Sequence, residues 1–86
     1  MIARVYKEEL RRLVIFPNIM SNLHGFLSSV MKVTILKEHE LYVDIEIADS
    51  RLVKEVFNSR EWFRSVDKKF ALFNYGSFWK VVFQRK

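Results

Sequence analysis

The residues able to do chemistry are few and scattered. His24 lies within a helical pattern, and His39 sits in a turn between Glu38 and Glu40. His24 has no second ligand at metal spacing, and Glu38 and Glu40 around His39 read as a solvated loop sooner than as an acid–base or metal cluster; neither histidine has an evident Ser or Asp partner for proton transfer, and Ser28 and Ser29 fall mid-helix. The chain has no cysteine, which removes a disulfide framework, a thiolate metal site and a Cys nucleophile together. Gly25 and Gly76 are the only glycines, so no Gly-rich loop can cradle a phosphate. The sequence therefore predicts a non-enzyme with no catalytic residue, metal or cofactor. The exception it leaves open is a small basic ribonuclease-like toxin, which can work with scattered Arg, Lys, Tyr and His; His39 and Arg85 are the residues to test for it.

Binding chemistry is better represented. Phe70 to Phe83 holds Phe70, Phe73, Tyr75, Phe78, Trp79 and Phe83, close to half of the chain's aromatic residues. Gly76-Ser77 at its centre is the signature of a two-residue type II′ hairpin turn. That turn pairs Phe70 with Phe83, Leu72 with Val81, Asn74 with Trp79 and Tyr75 with Phe78. One face then carries Phe70, Leu72, Trp79, Val81 and Phe83, and the other Ala71, Phe73, Tyr75, Phe78, Lys80 and Val82. Both faces are largely apolar, whereas a hairpin with one wet face alternates. Trp62, Phe73, Tyr75 and Phe78 are therefore expected as core or as a protein interface. If their face is open they become a base-stacking platform, and Tyr75-Gly76-Ser77-Phe78 echoes part of the aromatic strand motif of RNA-recognition domains. Arg60, Arg64, Lys68, Lys69, Lys80 and Arg85 are the candidate contacts to a nucleic-acid backbone.

These residues need elements to position them. Pro17-Asn18 suits a helix start, and Ile19, Leu23, Phe26, Leu27 and Val30 form an apolar stripe over 18–30. Leu41, Val43, Ile45 and Ile47 alternate with Tyr42, Asp44, Glu46 and Ala48 as in a half-buried strand. Met31 to Leu36 is its partner strand, with Val33 opposite Ile45, Ile35 opposite Val43, Lys32 opposite Glu46, and Glu38-His39-Glu40 as the loop. Asp49 or Ser50 caps a second helix over 50–65, whose stripe is Leu52, Val53, Val56, Phe57 and Phe63, with a break at Asn58-Ser59. The start of the chain is ambiguous between helix and strand; Ile2 to Tyr6 looks strand-like, and a strand is expected at 11–16. The sum is one α+β domain over 1–86, with an antiparallel sheet of 4–6 strands and two helices.

Charge and length bound the partners. The 86 residues suffice for one modest core. The net charge of +5 is uneven: +4 over residues 1–37, −5 over 38–49 and +6 over 50–86. Such a protein can bind RNA or DNA through its basic surface while its acidic band faces a protein partner or a second copy. Nothing approaches the ~20 apolar residues of a membrane span, and the N-terminus lacks a signal-peptide core, so a cytoplasmic protein with no membrane partner is expected.

Within residues 33–63, the run Leu41-Tyr42-Val43-Asp44-Ile45-Glu46-Ile47-Ala48-Asp49, then Leu52, Asn58-Ser59 and Trp62, resembles the small dimerising subunit of the KEOPS complex, which makes the threonylcarbamoyl modification on tRNA adenosine. The resemblance implies a non-catalytic, dimer-forming subunit with the order strand, helix, two strands, helix over 11–65. The hairpin over 69–84 is outside that family's pattern. Together these readings predict a self-associating, non-enzymatic interaction module in an RNA context. The alternatives are a viral or mobile-element effector that binds and inhibits a host protein, and the ribonuclease-like toxin.

Overall fold

The computed structural model describes residues 1–12 and 21–83. Strand β1, Ile2–Tyr6, leads into a single helical turn, α1, Lys7–Leu10. A second helical segment, α2, runs through Leu23–Gly25 and continues as a π turn over Phe26–Val30. Two strands follow, β2, Thr34–Glu38, and β3, Tyr42–Glu46. A 3-10 turn, Asp49–Arg51, leads to β4, Leu52–Phe57, and β5, Arg60–Ser65. The last hairpin is β6, Phe70–Asn74, and β7, Trp79–Phe83. The seven strands of the described residues form one sheet in the order β2-β3-β1-β7-β6-β5-β4. The sheet is mixed, because β1 runs parallel to β7 with Arg4 beside Lys80 while the other pairs are antiparallel.

This architecture corrects the expected α+β fold of 4–6 antiparallel strands and two helices. The expected helix over 50–65 is the hairpin β4–β5. Asn58 and Ser59 take φ of 51° and 61° and form a two-residue turn with both residues left-handed, the geometry that matches strand twist. Spacing alone misleads here because Leu52, Val53, Val56 and Phe57 also fit a helical stripe. The final helix of the order strand, helix, two strands, helix is therefore a pair of strands here.

The other local readings fare unevenly. The described end of the 18–30 segment is helical over 23–30, opened by Asn22, whose Oδ1 accepts the Gly25 N–H at 3.2 Å. Met31 N–H reaches Phe26 O at 3.2 Å, an i→i+5 bond. The wider turn moves the buried position to Met31 and leaves Val30 exposed. Ile19 and residues 13–16 of the strand expected at 11–16 lie outside the described residues; Arg11 and Arg12 belong to the turn after α1. The β2–β3 hairpin exists, but its register differs by two residues: Ile35 faces Ile45 and Thr34 faces Glu46. A shift of two keeps every side chain on its face. A bulge at Leu36 then sets Lys37 opposite Asp44. Lys32, with φ of 57°, ends the helix instead of pairing with Glu46. Only the last hairpin keeps its full expected register, from Phe70↔Phe83 to Asn74↔Trp79, closed by Tyr75 N–H to Phe78 O at 2.9 Å with Gly76 at φ 94°.

The core lies on one face of the sheet. Ala3, Val5, Val43, Ile45, Ile47, Phe70, Leu72, Val81 and Phe83 point to it, and Leu10, Leu23, Leu27 and Met31 cover them. Burial of each larger side chain is worth roughly 1.5–3 kcal/mol. Arg51 pins the cover in place: its Nη1 donates to the carbonyls of Met31 and Lys32, both at 2.6 Å, at the negative end of the helix. Arg51→Ala is expected to lower stability by about 1.5–3 kcal/mol in urea unfolding, the value of hydrogen bonds from a charged donor. Ser59→Gly should instead raise stability by about 0.5–1 kcal/mol, since glycine removes a left-handed cost at little penalty in a turn; a thermal melt a few degrees higher checks it.

Candidate nucleic-acid interface on the open sheet face

No helix among the described residues covers the second face of the sheet. Strand alternation and register place Arg4 and Tyr6 of β1, Tyr42 and Asp44 of β3, Lys80 and Val82 of β7, Ala71 and Phe73 of β6, and Trp62 and Arg64 of β5 on it. Tyr75 and Phe78, which close the last turn, continue the same face. Phe73 is 37% and Tyr75 57% exposed.

The aromatic rings are ordered by one another. Trp62 stacks on Phe73 with centroids 5.4 Å apart and planes at 17°, and Tyr75 stacks on Phe78 at 5.9 Å and 15°. Tyr6 bridges Phe78, at 6.0 Å, and Tyr42, at 5.3 Å. Cations lie between the rings: Arg4 sits 4.5 Å from the Tyr42 ring and 4.6 Å from Phe78, and Lys80 lies 5.4 Å from both Tyr6 and Tyr75. Each such contact contributes about 0.5–1 kcal/mol at an exposed site and fixes the geometry of the long cationic chains. Two of the cations are partly neutralised. Arg4 pairs with Asp44 at 3.4 Å and Arg64 with Glu55 at 3.1 Å. Among the described residues Lys80 and Arg60 have no carboxylate partner.

The residues expected to contact nucleic acid do not form one patch. Arg64 and Lys80 share the middle of the open face, and Arg60 stands on it at the β4–β5 tip. Lys68 and Lys69 lie at the opposite end of β5, in the turn to β6. There the Lys69 N–H donates to Ser65 Oγ at 2.9 Å and to Asp67 Oδ1 at 3.1 Å. Arg85 lies outside the described residues. The four expected interface aromatics, Trp62, Phe73, Tyr75 and Phe78, do come together. Sequence reasoning missed Arg4, Tyr6 and Tyr42. Their signal was the alternation in Ile2–Tyr6 and the outward position of Tyr42 in β3, but no local pattern showed that β1 would lie beside β7.

Each histidine lies within hydrogen-bond distance of a carboxylate in this arrangement. His39 Nε2 lies 2.9 Å from Asp44 Oδ2, and its ring is 4.5 Å from Tyr42. His24 Nε2 lies 2.6 Å from Glu38 Oε1, while Lys7 Nζ donates to Glu38 Oε2 at 2.9 Å. Among the described residues no group of three His, Cys, Asp or Glu side chains is placed to hold a metal ion, and no helix is long and apolar enough to cross a membrane. Comparison with protein families, with curated proteins and with solved structures finds no match to this chain.

Two carboxyls are held below their ordinary range. Glu38 is lowered first by its hydrogen bond from Lys7 and then by that with His24. For Asp67, burial acts in the opposite direction, but the Ser65 hydroxyl, the Lys69 N–H and the charges of Lys69 and Arg51 together outweigh it. A carboxyl depressed in the folded state adds stability above its unfolded pKa and loses it as pH falls through the folded value. Glu38 ties α1, α2 and β2 together, so Glu38→Gln is expected to flatten the acid limb of stability against pH, below about pH 4. Urea midpoints measured across that range check this; an acid limb as steep as that of the unsubstituted chain would show that Glu38 contributes nothing to it.

Proposed function

We propose that this protein is a non-enzymatic module that binds single-stranded nucleic acid, RNA first, on its open sheet face in the cytoplasm. One observation carries the reading: stacked, solvent-facing aromatic rings alternate with Arg4, Lys80, Arg64 and Arg60 across β1, β7, β6 and β5. Bases stack on exposed rings in any sequence, and the cations hold the phosphates. The core is closed on the other face, so occupancy of this one requires no unfolding.

A second reading, self-association, is favoured by the edge strand β4, where Val56 is 65% and Phe57 71% exposed. An apolar edge strand invites pairing with another chain, although Lys54 within it works against that. Light scattering separates the two: a mass that grows with concentration and returns to one chain in Phe57→Lys supports assembly, and one chain at all concentrations ends that reading.

Binding of a labelled oligouridine, followed by anisotropy, tests the main proposal. Affinity should fall with salt at a logarithmic slope of about −2 to −3, three or four phosphates at ~0.7 each for a single strand. Tyr75→Ala should cost about 1–3 kcal/mol, one stacked base, and Lys80→Ala should reduce the slope by about 0.7. No binding at low salt would sink the proposal. The oligonucleotide should remain intact throughout; cleavage that disappears in His39→Ala would overturn its non-enzymatic part.

A further inference from the structure

The ladder between β5 and β6 ends at Phe63↔Leu72, and beyond it the tips of the two hairpins diverge. Between them opens a cleft of about 890 Å3 lined by Phe57, Arg60, Trp62, Phe73, Tyr75 and Trp79. We infer that this cleft is a dedicated nucleotide site, in which one base of the bound strand leaves the platform and inserts between the hairpin tips while its phosphate rests on Arg60. The inference rests on the single-strand reading above and assigns a distinct role to the gap at the edge of that face.

Three features of the cleft select this occupant. Its walls are aromatic on both sides, which suits a flat ring that gains by stacking, and its volume lies within the roughly 300–1,000 Å3 of small-molecule sites. Its charge is that of a phosphate site: Glu61 is engaged by Lys54 at 3.0 Å, so Arg60 is left as the net charge of the lining. A free guanidinium presents paired donors that match a phosphate. The rim also carries Asn74, whose Oδ1 already accepts the Gly76 N–H at 2.6 Å, leaving its NH2 to donate to a base edge.

The cleft supplies its own reporter. Trp62 and Trp79 are the only tryptophans of the chain, and both line it. Adenosine monophosphate added to the full chain should quench tryptophan fluorescence saturably, whereas inorganic phosphate and ribose 5-phosphate should not. Arg60→Gln, an exposed and conservative change, should weaken the mononucleotide about tenfold or more without reducing the quench at saturation, the loss of one charge-assisted contact. Oligouridine should quench the same signal at lower concentration, since its other nucleotides hold the platform. If the mononucleotide leaves the fluorescence unchanged while oligouridine still binds by anisotropy, the nucleotide site is wrong and the platform stands. If neither ligand binds, both fall. A quench of equal midpoint in Arg60→Gln overturns the phosphate role.

Discussion

The parallel contact between β1 and β7, at Arg4 beside Lys80, is the constraint on which the rest of the molecule depends. It joins two antiparallel units, β2-β3-β1 and β7-β6-β5-β4, into one sheet. Val5 and Ala3 on one side of this seam and Val81 and Phe83 on the other complete a continuous apolar layer that neither unit has alone. The same seam sets Arg4 and Tyr6 against Phe78 and Lys80 on the opposite face. Closing so long a loop costs chain entropy, but that cost grows slowly with length, by about 0.6 kcal/mol per doubling, and the shared core readily exceeds it.

Coverage is the second constraint. A helical turn at Lys7–Leu10 and the segment Leu23–Val30 provide enough apolar surface for the middle of one sheet face. They leave the β4 edge thinly covered, so Val56 stays exposed, while Phe57 stands beside Arg60 on the opposite face. Among the described residues no helix covers the opposite face, and its side chains shield one another. Trp62 lies over Phe73, Tyr75 over Phe78, and Arg4 across Tyr42 and Phe78. Each aromatic pair adds about 0.5–1.5 kcal/mol. The pairing also fixes the rings against one another, which limits the rotamer freedom left to them. Phe73 and Tyr75 stay exposed on this face, and exposed apolar surface of this kind is what the proposed binding role rests on.

What was legible in the sequence was legible where local chemistry decides. Gly76-Ser77 dictates a tight two-residue turn, and the turn length fixes the register from Phe70↔Phe83 to Asn74↔Trp79, because the residues flanking it must pair. The strict alternation in β3 marked that strand, and its hairpin with β2 was visible. The bulge at Leu36 was not, since it follows from how the edge strand bends around the core. Among the site residues, Trp62, Phe73, Tyr75 and Phe78 were recognisable as a set; Arg4, Tyr6 and Tyr42 were not, because their neighbours lie on distant strands.

The sequence by itself determined the two apolar faces of the last hairpin, the absence of cysteine chemistry and the surplus of cations. Tertiary structure alone decided that 52–65 is a hairpin. Its apolar spacing suits helix and strand alike, and pairing of Phe63 with Leu72 and of Arg64 with Ala71 resolves that tie in favour of the sheet. It also decided which hairpin face meets water. Phe70, Leu72, Val81 and Phe83 are buried, while Phe73 and Tyr75 face solvent. The physical reason is that periodicity records which residues share a face, whereas coverage depends on how much helix the whole chain has to lay against the sheet.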